Sequence, residues 1–251
     1  MPLKLKTMTD FSKTLIRCSS LSCLFTEPQS KEDKLAGRLS KTAQSHLVEV
    51  YAREIWGVEK DIVTKQMRKG TEAEEDGITL ISIVDGKLYV KNDERKENEW
   101  ICGHADIVED DLLTDLKLSW DAFTFLPKLI EPVNKDYYYQ LQGYLWLWGQ
   151  DKGRLSYGLV NTPESIIQGE LYRLLRSMNV ISEESPKYKE AARKLISNMK
   201  FDHIPMEQRV IHQFIGRDEE IIAQIPEKVE KARKFLQELY EKHQNLVTLA
   251  L

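Results

Sequence analysis

Cysteine is scarce in this sequence: Cys18, Cys23 and Cys102 are the three among 251 residues. So few, and odd in number, they exclude a disulfide-built fold and point to reduced, buried thiols in a cytosolic protein. Cys18 and Cys23 alone are too few for a structural zinc site. No apolar run is long enough to span a membrane. The opening MPLKLKTMTD has lysines but no apolar run of signal-peptide length behind them, so a cytoplasmic location without membrane contact is expected. An excess of basic residues is also missing. The formal net charge is −4, so any contact with nucleic acid has to come from a local groove rather than from a global field. There is no internal repeat and no low-complexity linker. Apolar residues make up 41% and charged residues 30%, which suits a globular chain. The length allows one large domain, read here as residues 1–251 with a core of about 39–165 and a C-terminal strand and helical elaboration of about 166–251.

The pattern along the chain alternates between helix and strand signals. Residues 14–25 (TLIRCSSLSCLF) read as a short strand or turn leading into a helix. From Leu39 the apolar residues Ala43, Leu47, Val50, Tyr51 and Ile55 recur at helical spacing, with Gly57 as a stop. A second helix is expected over 71–84, its acidic first turn (Glu72, Glu74, Glu75, Asp76) suiting the positive end of the helix dipole. KLYVK at 87–91 alternates as a strand. The aromatic run DYYYQLQGYLWLWG at 136–149 is a helix with Tyr137, Gln140 and Tyr144 on one side. GRLSYGLVN at 153–161 alternates as a strand. Thr162-Pro163-Glu164 then starts a helix, with a capping hydroxyl and proline at the first helical position. A helix over 185–199, a strand over 207–215 and a long amphipathic helix over 218–243, kinked or split at Pro226, complete the chain. This order implies an α/β fold with a mixed central sheet flanked by helices.

The stretch with chemistry in it is WICGHADIVEDDLLTDLKLSW at 100–120. It reads as two strands, 100–108 and 112–118, joined by an acidic turn. Alternation puts Asp115 and Lys117 on one face, and hairpin pairing brings Asp106 near Asp115. Two carboxylates that close repel each other unless a cation or proton intervenes, and all-oxygen ligands suit Mg²⁺. An exposed same-face ion pair of little consequence is the competing reading of Asp115 and Lys117. His104 reads as a hydrogen-bonded histidine, and the basic residues Lys187, Lys189, Arg193, Lys194 and Lys200 as a solvated helix face or a DNA-facing patch.

GHAD followed by TDLK resembles the signature of the PD-(D/E)xK nucleases, in which an Asp on one strand precedes (D/E)-x-K on the next. Three further stretches match in order. KGTEAEED at 69–76 resembles the family's helical glutamate motif and places it on Glu74, although Glu72 and Glu75 compete. QLQGY matches the Q-x-x-x-Y helix of the RecB-like branch through Gln140 and Tyr144. RCSSL at 17–21 resembles the N-terminal segment of YqaJ and lambda-exonuclease-type phage recombination enzymes. The signature's second acid is here Asp115, where many relatives carry Glu.

The resemblance implies a restriction-endonuclease-like core and Mg²⁺-dependent hydrolysis of DNA, with Mn²⁺ able to substitute. Exonuclease rather than endonuclease action, in phage or prokaryotic recombination or repair, is the expected activity. Asp106, Asp115 and the carbonyl of Leu116 would bind metal, Glu74 would join them directly or through water, and Lys117 would position the attacking water. Gln140 and Tyr144 would tie their helix to the active-site strands or to the DNA backbone. Arg17, Ser19 and Ser20 are read either as contacts to a terminal or backbone phosphate or as a plain cap or turn. DNA is the implied partner, with a single-strand annealing protein and a second copy of the chain as further ones. Some relatives carry an iron–sulfur cluster, and none is expected here because no cysteine follows Cys102. The alternative is a non-catalytic DNA-binding recombination protein on the same fold. A hydrolase of another phosphate ester is the third reading.

Overall fold

The computed structural model describes residues 10–60, 62–179 and 182–249; the lysine-bearing start lies outside them. In chain order the elements are β1 (Ile16–Arg17), α1 (Leu21–Leu24), α2 (Lys31–Leu35), α3 (Lys41–Trp56), α4 (Lys65–Glu72), α5 (Glu74–Asp85), β2 (Lys96–Glu97), β3 (Ile101–Gly103), β4 (Ile107–Val108), β5 (Leu113–Leu118), α6 (Ala122–Phe125), α7 (Lys135–Trp148), β6 (Lys152–Gly158), α8 (Glu164–Ser177), α9 (Pro186–Ser197), β7 (Val210–Gly216) and α10 (Glu219–Leu249). The expected α/β class is what forms, with helices flanking mixed sheets. Among the described residues the strands divide into two sheets, ordered β1-β3-β2 and β4-β5-β6-β7. In the second sheet β5 and β6 run parallel, while β4 and β7 are antiparallel to their neighbours.

The helices form where their caps and apolar stripes say they should. Ser40 accepts the Ala43 N–H at the start of α3, Asn134 accepts the Asp136 N–H at the start of α7, and left-handed Gly57 and Gly149 end the two. α7 and α10 pack with α3 around one core. Leu47, Leu141, Leu145, Leu155, Ile225, Val229 and Leu236 are buried in it. α5 lies on the other face of the four-stranded sheet, with Ile78 and Ile81 against Leu116. Gly143 lets the 17–21 segment approach α7, because a Cβ there would meet Leu21 Cδ1 at 2.7 Å and Cys18 Sγ at 2.8 Å.

Five expectations about local structure need correction. The 100–108 stretch is two strands in different sheets, because the chain bends at Asp106. The helix expected over 71–84 is two helices, broken at Ala73 (φ −111°, ψ 13°). KLYVK forms no strand and pairs with none among the described residues. Its alternation comes instead from Tyr89, which is buried against α5 and donates to Asp85, while Leu88 and Val90 stay exposed. Pro163 takes the N-cap position of α8, and the buried Thr162 hydroxyl has no hydrogen-bond partner among the described residues. α10 runs unbroken through Pro226.

Candidate active site

The site is built on an uncovered strand edge. β4 has two residues and pairs with Leu113 and Thr114 alone. Beyond it the outer edge of β5, from Asp115 onward, has no strand neighbour among the described residues. Asp106 follows the Ile107–Thr114 pair in register and therefore stands opposite Asp115. Its Oδ2 accepts the Leu116 N–H at 2.6 Å, so a carboxylate replaces the missing strand. A strand residue presents its N–H and C=O to the same side, so the Leu116 carbonyl also faces this open edge.

α7 approaches from the other side. Gln140 Nε2 donates to Asp115 Oδ1 at 3.2 Å and to the Tyr144 hydroxyl at 2.8 Å. Lys117 Nζ lies 2.7 Å from Asp115 Oδ2 and 5.0 Å from the Tyr137 ring centroid. Apart from this ion pair, the buried Asp115 Oδ2 has no polar partner among the described residues. Asp115 is 1% exposed and Lys117 24%.

Charge balance here is poor. Burial, then the charge of Asp115, pushes the Asp106 carboxyl up to about 7, against the pull of Lys117 and the Leu116 N–H. Burial disfavours the Lys117 ammonium, but Asp115 and Asp106 outweigh it and hold its pKa above the ordinary value. Burial likewise raises the Tyr144 hydroxyl, so it stays protonated. A cleft of about 500 Å³ opens over these groups, lined also by Gln66, Met67, Gly70, Thr71 and Glu74. Glu74 begins α5 and its Oε2 lies 3.0 Å from Lys91 Nζ. Glu72 is turned away, bound by Arg68 and Ser165, and Glu75 is exposed. Among the described residues no three side chains of the metal-ligating types close on one point. Asp106, Asp115 and Leu116 line the same cleft.

Other candidates lie elsewhere. Arg17 and Ser20 line a separate cavity of about 270 Å³ with His46, Arg53 and Lys60, and Ser19 is exposed on the 3-10 turn that follows β1. His104 is exposed, Glu109 is paired with Lys87, and Lys194 of α9 lines a different cavity. Lys91 and Tyr137 were not singled out from sequence as site residues. Tyr137 had a signal, its place three residues before Gln140 on the same helical side. Lys91 had none, since it lay in a stretch that reads as a strand.

No protein-family model and no curated protein sequence matches this chain. Solved structures do. A phage-related exonuclease from Haemophilus somnus 129PT is 33% identical with a TM-score of 0.72, over 92% of this chain and 97% of that one. The alkaline exonuclease LHK-Exo from Laribacter hongkongensis has the same fold at 14% identity, with a TM-score of 0.62 over 96% of each chain. The same enzyme in complex with dAMP gives a TM-score of 0.58 at 16% identity, over 94% of this chain and 93% of that one. A third of the residues shared over nearly the full length of both chains goes beyond a likeness of fold, and this chain belongs to the phage-related exonucleases, of PD-(D/E)xK type.

Proposed function

We propose that this chain is a Mg²⁺-dependent deoxyribonuclease that degrades linear DNA from its ends, in phage or prokaryotic recombination or repair. The observation that carries the reading is the convergence of Asp106, Asp115 and Lys117 on the open edge of β5, short of positive charge. The donor set fits the ion. Mg²⁺ takes oxygen ligands, commonly one or two carboxylates with several waters and substrate phosphates. Asp106, Asp115 and the Leu116 carbonyl would hold it, Asp115 Oδ2 being a buried oxygen paired with the Lys117 ammonium. Glu74 would join directly or through water, leaving Lys91. When bound, the ion supplies a more acidic water and positive charge against the phosphoryl oxygens.

The chain's own residues do the rest. Lys117 stays cationic between the two aspartates, oriented by the Tyr137 ring, and can hold the attacking water or offset charge on the phosphoryl group. Gln140 fixes the rotamer of Asp115 and is itself fixed by Tyr144. The 500 Å³ cleft exposes this edge to an extended strand. Arg17 and Ser20 lie outside it and are assigned no step. A single-strand annealing protein and self-association remain the partners to look for.

The purified protein is expected to degrade linear DNA with Mg²⁺ or Mn²⁺, spare covalently closed DNA, and stop on chelation. Lys117→Ala and Asp115→Ala are expected to abolish this with circular dichroism unchanged. Glu74→Gln is expected to impair it and Glu72→Gln to leave it intact. Activity surviving in both Lys117→Ala and Asp115→Ala ends the mechanism. DNA binding without cleavage in the wild type favours a non-catalytic role instead.

A further inference from the structure

α4 carries Gln66, Met67, Gly70 and Thr71 of the cleft wall, yet it brings almost no apolar surface to the protein. Its one buried side chain is Lys69, which is 0% exposed. A buried ammonium is costly and needs an explanation. Lys65 and Arg68 on the same helix pair with Glu170 and Glu72. Lys69 instead has, among the described residues, a backbone carbonyl as its polar partner. Its Nζ donates to Trp120 O at 3.0 Å, and the Phe201 ring centroid lies 5.1 Å away. Burial pulls its pKa down to about 8, with Asp121 acting the other way. Charged or neutral, the amine still has a proton to donate.

The bond joins two parts of the site. Trp120 lies just beyond β5, two residues past Leu118 and three past Lys117. α4 is separated from α5 by the break at Ala73, and α5 is held by its own apolar face, Ile78, Leu80 and Ile81. Glu74 is thus placed by α5, whereas the α4 wall depends on its polar ties. Apolar contact is non-directional. A single donor aimed at one carbonyl fixes the rotation of the helix as well as its distance. We propose that Lys69 is a positioning residue, latching α4 to the end of β5 and so fixing the wall along which the substrate strand lies. This rests on the nuclease reading above.

The test compares Lys69→Met, which keeps the stem without the donor, with Lys69→Gln, which keeps a donor. Lys69→Met is expected to raise KM for linear DNA about tenfold with kcat nearly unchanged, since a wall contact supports binding rather than chemistry. Its amides at 65–72 are expected to exchange about tenfold faster, with those at 74–85 unchanged. Mg²⁺ affinity stays at the wild-type value, and Lys69→Gln recovers part of the loss. Wild-type KM and α4 exchange in Lys69→Met overturn the proposal. So does a loss of Mg²⁺ affinity with faster exchange through α5 and β5, which marks general destabilisation. If Lys69→Met does not fold, the same two readouts on Lys69→Gln decide, a wild-type-like result supporting the latch and a tenfold rise in both overturning it. A wild type without nuclease activity fails the nuclease reading, and α4 exchange still decides the latch.

Discussion

Each face of the β5–β6 pair meets a partly or fully buried acid, and the two sides are treated in opposite ways. On the α5 face Asp85 accepts hydrogen bonds from Arg154 at 2.6 Å and Tyr89 at 2.8 Å, and His212 Nε2 lies 3.1 Å from its other oxygen. Burial alone would raise its pKa, but these partners outweigh burial and hold the carboxyl below the usual range. On the α7 face Asp115, with Asp106 at the strand edge, has one ammonium for two carboxylates, and Asp106 is driven up to about 7. Burial differs, Asp85 being 17% exposed and Asp115 1%, but it raises the Asp85 and Asp106 carboxyls alike, so it does not give them opposite shifts. Counter-charge does. Asp85 is satisfied from within the chain and ties three elements together. The Asp106–Asp115 pair has room for a cation from outside, which is how a ligand site differs from a structural one.

The largest expected effects come from removing one acid on each side. Asp85→Ala leaves the guanidinium of Arg154, 4% exposed, without its carboxylate. That is expected to cost about 3–5 kcal/mol, and at this chain length each kcal/mol lowers the melting temperature by roughly 2–4 °C. Activity per folded molecule should survive. Asp115→Ala is expected to do the reverse, leaving the melting temperature of the metal-free protein level or higher while activity falls by at least about 10³-fold. Thermal denaturation beside a linear-DNA assay reads both. The same sign of effect in both variants would erase the distinction between the two faces.

The next effect is smaller and uses the residues one bond further out. Gln140→Leu frees Asp115 Oδ1 and the Tyr144 hydroxyl together. Partners that orient metal ligands are typically worth about 10–100-fold in activity or metal affinity, and a loss in that range is expected, with little change in melting temperature. Ser156→Ala is the matching change on the α5 face, since Ser156 Oγ lies 2.9 Å from His212 Nδ1. It is expected to cost about 1 kcal/mol of stability and to leave nuclease activity alone. Kinetics on the folded fraction separates the two outcomes.

How much of this was legible in the sequence differs between the two faces for a physical reason. Asp106, Asp115 and Lys117 lie within twelve residues, so period-2 alternation and one hairpin were enough to bring them together. Gln140 stood out as a polar residue amid aromatics on a strongly periodic helix. The Asp85 cluster was invisible. Its members come from α5, the 86–92 segment, β6 and β7, and no local period connects them. The same long-range contact misled the reading of KLYVK, where Tyr89 is buried by Asp85 and α5 rather than by a neighbouring strand. The break at Ala73 also escaped, because Thr71 to Val84 reads as one helix until the wall and the core ask for two directions. Lys69 was hidden because it lies on α4, a helix not expected from the sequence, and is covered by Trp120 and Phe201 from distant parts of the chain.

The smallest effect is a slope rather than a loss. The folded pKa of Asp106 lies above the unfolded value, so the metal-free fold binds more protons at this group than the unfolded chain does. Stability from this source is greatest when the group is protonated and declines as pH rises from about 4 through about 7. Asp85 has a lowered pKa, so its contribution is present above the unfolded value and is lost only as pH falls below it. His212 complicates the window between: burial, then Arg154, lowers its pKa, which makes stability rise with pH. Comparing Asp106→Asn with wild type cancels that term. The variant's melting temperature should gain on wild type between about pH 5 and pH 8, by an amount on the order of a few degrees. Mg²⁺ should raise the wild-type melting temperature at the higher pH and much less at the lower, where the proton competes for the same carboxylate, and it should do little for Asp106→Asn at either. A pH-independent difference between the two proteins would mean that Asp106 is already ionised and compensated, as Asp85 is, and that the two faces are alike.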